Sequence, residues 1–412
     1  MKQLAKLSKI PEMVQPRLAD NHRSGLPGWT YFSEEALEIE KELLFRRSWQ
    51  LLGHVNDIPA PGDYATFDIV GERAIAIRGR DGKVRCFHNV CRHRGSRVVA
   101  DRQGSCKSAI VCPFHGWSYN FDGTLRGAPA PRSLPKLDPE RHGLQKLDHE
   151  IFHGFIFIRF KPGAQPAVAK LLSIYEPLFV LHRTAETKPL GLFWQADMQA
   201  NWKAVRDVDN EGYHVPIAHP GLYDLYGRQY VDELPGHGVT RSVGRFDGLK
   251  SKHWSVRHYK TIRPAAPDHL GEESSNWTYV GMFPNVVFML YPEQIGYYQE
   301  WPLGVDRTVQ RGNVYGLPDD RREIKLARYL AMRIDREATR EDHQLIVWSC
   351  EAMKSSAFSG IILSDHEAGV RQYHDHLRRV IPVYNLQKEP LPGMTATLND
   401  ELLRHGPTIK QS

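Results

Sequence analysis

A chain of 412 residues, 41% hydrophobic and 25% charged, has the make-up of an ordinary globular protein and core enough for two or three domains. Its net charge of +6, from 54 basic and 48 acidic residues, is too mild and dispersed for a nucleic-acid-binding protein. No run approaches the roughly eighteen apolar residues of a membrane span. The opening MKQLAKLSKIPEM is basic but lacks the apolar stretch of a secretory leader. Five cysteines make a poor disulfide framework, so a reducing cytoplasm is expected.

In chain order, residues 33–50 read as a helix, with Ser33 as N-cap and Glu34 and Glu35 at the positive end of its dipole. From about residue 61 the period changes to two. Ala65, Phe67 and Ile69 alternate with polar residues, and Ile75 and Ile77 lead into Arg80-Asp81-Gly82-Lys83, a hairpin signal. A second turn of this kind lies at Asp122-Gly123, and Phe155, Phe157 and Phe160 mark a further strand. A small β domain over 46–163 follows, ending at Lys161-Pro162-Gly163. Beyond it the sequence predicts aromatic-rich strands at 277–291, 294–301 and 307–316, and helices at about 320–356 and 364–380. No repeats stand out, and the stretch after Pro390 is expected to be loosely ordered.

Within the β domain stand Cys91-Arg92-His93 and, after eighteen intervening residues, Cys112-Pro113-Phe114-His115. Four cysteines at such spacings would indicate zinc or an all-thiolate cluster. Here each half offers one thiolate and one imidazole, which gives one metal two sulfurs and its neighbour two nitrogens. That is the ligand split of a Rieske [2Fe–2S] centre, whose neutral imidazoles raise the potential to between about −150 and +300 mV. Structural zinc would need the same four residues, but the flanking Arg94-Gly95 and Gly116-Trp117 resemble the loops of Rieske proteins. Arg92, Arg94, Arg97 and Arg102 crowd the first loop and would steer an acidic electron donor.

The second dense segment runs from Asn201-Trp202-Lys203 to His219-Pro220. Asp207, Glu211 and His214 stand at i, i+4 and i+7, one stripe of a helix. His214 and His219 would lie about 140° apart on a continuous helix, too far for one metal. Pro216 should end or kink the helix, so that His219 returns to face His214. Two imidazoles and a carboxylate from elsewhere make the facial triad of a mononuclear non-haem Fe(II) site.

Together the two constellations resemble the α subunit of the Rieske non-haem iron oxygenases (aromatic ring-hydroxylating dioxygenase family), over about residues 40–380. The resemblance implies an α+β protein: a Rieske domain at 46–163, and at 164–412 a helix-grip (START-like) catalytic domain with an antiparallel sheet. Residues 1–45 would be a helical segment packing on the catalytic domain. It implies Asp342, in Glu341-Asp342, as the third iron ligand, with Asp335 and Glu341 as rivals. It implies Glu211 as the acidic bridge between His214 and a cluster histidine of a neighbouring subunit, where aspartate is commoner and members acting on quaternary amines tend to carry glutamate. Asn201 would either lie near the iron or simply cap a helix. Cys350-Glu351 departs from the glutamine-containing turn frequent in the family, and this points to an atypical substrate or gate.

The implied activity is that of the terminal oxygenase component of a multicomponent system. No dinucleotide or flavin fingerprint is evident in the chain. Electrons from NAD(P)H would therefore arrive through a separate ferredoxin or flavin-dependent reductase. O₂ would be used to hydroxylate a small aromatic substrate or, alternatively, to demethylate or oxidise a quaternary amine. A homotrimer, with or without a β subunit, follows from the same likeness. Trp277, Tyr279, Phe283, Phe288, Tyr291, Tyr297, Tyr298 and Trp301 read as sheet packing, some of it also lining the substrate site. A plain Rieske electron carrier would leave His214 and His219 without a role.

Overall fold

The computed structural model describes residues 23–405 except 228, 249 and 263–266; part of the expected N-terminal segment, residues 1–22, lies outside the described residues. Chain contacts separate two compact units. One consists of Phe45–Lys170 and Thr184–Pro189, the other of the chain up to Leu44, Leu171–Arg183 and everything from Leu190 on. Among the described residues no helix is long and apolar enough to cross a membrane.

The smaller unit is all antiparallel sheet. Strands β1 (Gln50–His54), β2 (Asp63–Ile69), β3 (Glu72–Arg78), β4 (Val84–His88), β5 (Gln103–Ser105), β6 (Ile110–Val111), β7 (Ser118–Tyr119), β8 (Leu125–Gly127), β9 (Asp148–Phe152) and β10 (Phe155–Arg159) form three sheets, ordered β4-β3-β2-β5, β6-β7-β8 and β1-β10-β9. Both Asp-Gly turns fall between paired strands, β3–β4 and β7–β8. The expected helix over 33–50 stops early. Helix α1 (Glu34–Glu40) is capped by Ser33, whose Oγ accepts the Ala36 N–H at 3.3 Å, and one wider turn follows to Phe45. Gln50–His54 is instead a strand buried at every position. A short run buried on all sides carries no period by which helix and strand can be told apart.

The larger unit is built on seven antiparallel strands: β11 (Trp194–Met198), β12 (Tyr230–Gly236), β13 (Val239–Arg245), β14 (Asn276–Met282), β15 (Val286–Leu290), β16 (Ile295–Gly304) and β17 (Arg307–Gly316), in the order β11-β17-β16-β15-β14-β13-β12. The stretch expected as one strand, 277–291, is two, because Phe283-Pro284-Asn285 turns the chain and proline has no N–H for a ladder. In the pairing, Tyr279 stands opposite Met289, and Gly281 opposite Val287, which in turn faces Tyr298. This sheet face packs on the 32-residue helix α5 (Arg322–Met353; α2–α4 are described with the site). Ala327, Leu330, Ala331, Ile334 and Ala338 make the helix stripe that meets Trp277, Met289 and Tyr291. Asp335 and Asp342 stand seven residues apart on α5, so they extend this stripe. The opposite sheet face carries Tyr297 and Trp301, both under the Arg311 guanidinium.

Helix α6 (Ala368–Val380) begins after a capping box at Ser364 and Glu367. Past Pro390 the chain forms a further helix, α7 (Thr395–His405). Its buried positions are Thr395, Asn399 and Leu402, a stripe with one apolar member, and this is why the sequence did not mark it. Its start is held by Glu35, which accepts the Gly393 N–H at 2.6 Å and the Thr395 N–H at 3.2 Å.

Glu40, completely buried, ties the N-terminal helix to the site segment. It accepts hydrogen bonds from Lys203 Nζ at 2.5 Å, Trp202 Nε1 at 2.6 Å and the Tyr384 hydroxyl. Glu40→Ala should destabilise this unit by about 3–5 kcal/mol, because it strands the buried Lys203 charge. Chemical denaturation measures this; a loss under about 1 kcal/mol would show that Lys203 finds water instead.

Candidate metal centres

In the smaller unit Cys91 and Cys112 belong to the core formed by Ile75, Ile77, Phe87, Ile110, Tyr119 and Leu125. Each opens a loop of the same construction. The Cys91 N–H donates to Ser96 O at 2.7 Å and the Gly95 N–H to Cys91 O at 3.0 Å; the Cys112 N–H donates to Trp117 O at 2.8 Å and the Gly116 N–H to Cys112 O at 3.0 Å. Closing so tight a loop needs a left-handed residue. Gly95 and Gly116 supply it at φ +76° and +71°. The histidine falls one place later in the second loop, yet the two rings converge, with centroids 4.7 Å apart. His93 is stacked on Trp117 at 5.0 Å.

The donor set therefore has an inside and an outside. The two sulfurs are buried, whereas His93 is exposed and His115 half-buried. Tyr119 Oη lies within hydrogen-bond reach of Cys91 Sγ, at 3.3 Å, and accepts the Arg92 N–H at 3.0 Å. Burial pushes the Cys91 thiol above its ordinary pKa, so its thiolate needs a cation beside it. Two buried sulfurs and two outward imidazoles fit a [2Fe–2S] cluster with its histidine side at the surface. Of the arginines, Arg92 and Arg94 are exposed, with Arg94 over the Phe114 ring at 5.3 Å, while Arg97 is bound to Asp68 at 2.5 Å. The positive charge at the loop tip is therefore smaller than four free arginines would give.

The second centre lies in the larger unit. Helix α2 (Trp202–Val208) ends sooner than the i, i+4, i+7 pattern implies, because the Asn210 side chain donates to Arg206 O at 2.8 Å and takes a carbonyl that would continue the helix. Asp207 is consequently off the stripe. Its carboxylate accepts from Tyr31 Oη at 2.7 Å and pairs with His374 Nε2 at 2.9 Å. Pro216 lies in the first turn of a new short helix, α3 (Val215–Ala218), so the break comes before the proline and not at it. His214 precedes α3, and His219 follows it in a non-helical conformation before α4 (Pro220–Tyr226). This reversal brings the two Nε2 atoms to 3.2 Å. Asn201 is the N-cap of α2: its Oδ1 accepts the Lys203 N–H at 3.0 Å and its Nδ2 donates to Val305 O at 2.8 Å. Its amide is thus engaged with backbone, the capping alternative.

Asp342 arrives from α5. Its Oδ1 is 2.8 Å from His219 Nε2 and 3.7 Å from His214 Nε2, and the three donor atoms lie within 4.8 Å of one another. The far nitrogen of each ring is held by a carboxylate. His214 Nδ1 is bonded to Glu211 Oε1, and His219 Nδ1 to Glu341 Oε2 at 2.8 Å. Such outer carboxylates orient imidazoles and raise their basicity towards a metal. Two Nε2 atoms and one carboxylate fit mononuclear non-haem iron. Glu341, a rival for the third ligand, is instead the support of His219, a role invisible without knowing which helix face meets that ring. Asp335 accepts from Tyr291 Oη at 2.9 Å, away from the triad, and burial pushes it up to about 7. Glu211 spends its second oxygen on the His214 backbone N–H at 3.1 Å, so outward reach, expected of that atom, is left to spare lone pairs.

Without metal, burial opposes a charge on His214, but the Glu211, Asp342 and Asp209 carboxylates outweigh it and raise its pKa to about 9. Below that pH a metal must displace a proton, so Fe(II) affinity of metal-free protein should fall about tenfold per pH unit as pH drops from 9. A pH-independent affinity in competitive chelator titrations would contradict this. Asp342→Ala should abolish mononuclear iron while leaving the [2Fe–2S] spectrum intact, and Asp335→Ala should not. Glu341→Ala should weaken iron binding about 10–100-fold. Metal analysis beside the visible spectrum of each variant decides.

Residues 48–138 match the Rieske [2Fe-2S] domain, and residues 191–382 match the catalytic domain of the ring hydroxylating alpha subunit. The chain is 26% identical over 372 residues to the carnitine monooxygenase oxygenase subunit of Escherichia coli K12, covering 86% of this chain and 93% of that protein. It is 32% identical over 202 residues to the glycine betaine monooxygenase oxygenase subunit of Pseudomonas aeruginosa, covering 49% of this chain and 46% of that protein. With the large oxygenase component of the naphthalene 1,2-dioxygenase system of Pseudomonas putida it shares 35% over 229 residues, 54% and 50% of the two chains. The fold is that of a quaternary ammonium Rieske monooxygenase (TM-score 0.74, 23% identity, 89% of this chain and 100% of that one) and of naphthalene 1,2-dioxygenase from Rhodococcus (0.70, 20%, 86% and 94%). The chain belongs to the α subunits of the Rieske non-haem iron oxygenases, oxidoreductases whose cofactors are a [2Fe–2S] cluster and a mononuclear iron.

Proposed function

We propose that this terminal oxygenase oxidises a small cationic, N-methylated amine, with Cys91, His93, Cys112 and His115 holding the cluster and His214, His219 and Asp342 the iron. When bound, the cluster supplies electrons and the iron the place where O₂ is reduced. The observation that carries the substrate reading is the charge around the triad. Asp209 feels both Asp342 and His214, Asp232 feels His214 and Glu211, and Tyr226 feels Asp335, Asp342 and Asp232. The phenol of Tyr298 donates to Asp209 at 2.8 Å, and Tyr279 and Tyr298 stand half-buried on the helix-facing side of the sheet. Aromatic faces set among carboxylates attract a cation. A neutral hydrocarbon gains nothing from such a field. Glutamate at 211 and the relatives that act on carnitine and glycine betaine support the same reading.

An aromatic hydrocarbon is the second reading, supported by the naphthalene dioxygenase relatives. Glycine betaine and naphthalene, added separately to nitrosyl-treated protein, distinguish them. The amine should perturb the iron-site paramagnetic resonance and start O₂ uptake; perturbation by naphthalene alone would reverse the assignment.

The remaining parts follow the family reading. Electrons come from NAD(P)H through a separate reductase or ferredoxin, in the cytoplasm, where the thiols of Cys86, Cys106 and Cys350 would persist beside the two cluster ligands. In a homotrimer they pass from the cluster of a neighbouring copy to His214 by way of Glu211. Glu211→Gln keeps the size but not the charge, so turnover should drop at least tenfold with metal content unchanged. Rapid mixing of pre-reduced protein with substrate and O₂ should leave its cluster reduced. Oxidation at the wild-type rate would exclude Glu211 from the path.

A further inference from the structure

Beside the triad lies a charge cluster with no part in metal binding. Arg206 is 2% exposed, and its Nη1 lies 3.5 Å from Asp209 Oδ2 and 3.6 Å from Glu300 Oε1. Both carboxylates lean on one nitrogen. Glu300 is completely buried, and neither of its oxygens has a hydrogen-bond partner. The groups that face it are Arg206 and Asp209 from the α2 segment, Tyr298 from its own strand and Tyr373 from α6. One guanidinium thus stands against two carboxylates, with no second cation among these groups. An ionised buried carboxylate without hydrogen bonds is among the costliest groups a protein can hold, and a proton removes that cost.

We propose that Glu300 carries a proton at neutral pH, and that this proton is a reserve for O₂ reduction at the neighbouring iron site, delivered by way of Asp209. Each O₂ consumed takes two electrons and two protons; in mono-oxygenation one oxygen enters the substrate and the other leaves as water. The electrons come from the reductase partner. Glu300 supplies one proton and bulk water the second. Burial and the Asp209 charge push the Glu300 carboxyl well above the ordinary range, while Arg206 opposes them. Asp209 is the outlet because it leans on the same Arg206 nitrogen as Glu300, its charge is felt by His214 and its side chain is 22% exposed. A cavity of about 20 Å³, room for about one water, lies against the guanidinium and is lined by Arg206, Asn210, Thr240, Gln372, Tyr373 and His376.

The proposal rests on the iron-site reading but not on the choice of substrate. Its primary test needs neither. Infrared difference spectra of the holoenzyme at pH 7, wild type minus Glu300→Gln, should show a protonated carboxyl band that shifts in D₂O. That variant mimics the protonated group, so its melting temperature should match wild type between pH 6 and 8. Asp209→Asn removes a neighbouring negative charge, so the band should titrate away at lower pH than in wild type. With both metals at wild-type content and cluster reduction unchanged, single turnover in Glu300→Gln should slow at least tenfold. A difference spectrum without that band, or a melting temperature several degrees lower, would overturn the protonated state. A wild-type single-turnover rate in Glu300→Gln would overturn the delivery role and leave the iron ligands as assigned.

Discussion

The larger unit depends on one requirement: a single metal must be gripped by side chains that lie far apart in the chain. His219 and Glu341 meet across 122 residues. Two imidazoles alone would be free to rotate, and a lone carboxylate on a helix would sit in water. Both rings are therefore clamped at Nδ1 by glutamates, and the carboxylate rides on a 32-residue helix pinned to the sheet by an apolar stripe. Where that stripe passes from Ala338 to Asp342, the contact changes from apolar packing to a carboxylate facing two imidazoles. The price of the arrangement is a core crowded with acids, and the ways in which they are neutralised account for much of what else is buried there.

Three answers to that crowding coexist. Asp207 accepts hydrogen bonds from a phenol and an imidazole, which spread its charge. Glu40 is balanced by Lys203, with two further donors to complete its shell. Asp335 has one phenol, and Glu300 has no hydrogen-bond donor and only a guanidinium shared with Asp209, so protonation is the answer left to them. A positively charged substrate reduces the excess in the same way, which joins the electrostatics of the fold to the chemistry of its ligand.

The smaller unit meets a different constraint. Its donors are close in sequence, so short-range backbone bonds can set them. Two copies of one loop, each closed by a left-handed glycine, carry a buried sulfur at the base and an imidazole nearer the tip. The one-residue offset between Cys-x-His and Cys-x-x-His is absorbed within the loops, because ring orientation and not loop length sets where the nitrogens meet. Tyr119 adds a hydroxyl at a sulfur, the kind of contact that tunes a cluster potential.

The local chemistry was legible in the residues themselves. The ligand pairs, the Asp-Gly turns and the helix over 322–353 are short-range features written in spacing and period. His214 and His219 could be paired from Pro216, although the proline sits inside the short helix between them and does not end one. Tertiary structure alone decided which carboxylates do what. Asp335, Glu341 and Asp342 lie on one helix within eight residues, and only the facing rings and sheet separate the acid that meets Tyr291 from the one at His219 Nδ1 and the one at both Nε2 atoms. Nothing in spacing or period marks Glu40, Glu300 and Arg206 as buried, because charged side chains usually are not. Their burial comes from segments that sequence distance hides. So does the place of α7, whose inward face is polar. Spacing encodes which groups can share a metal or a turn, whereas the free energy of a charge depends on what surrounds it in three dimensions.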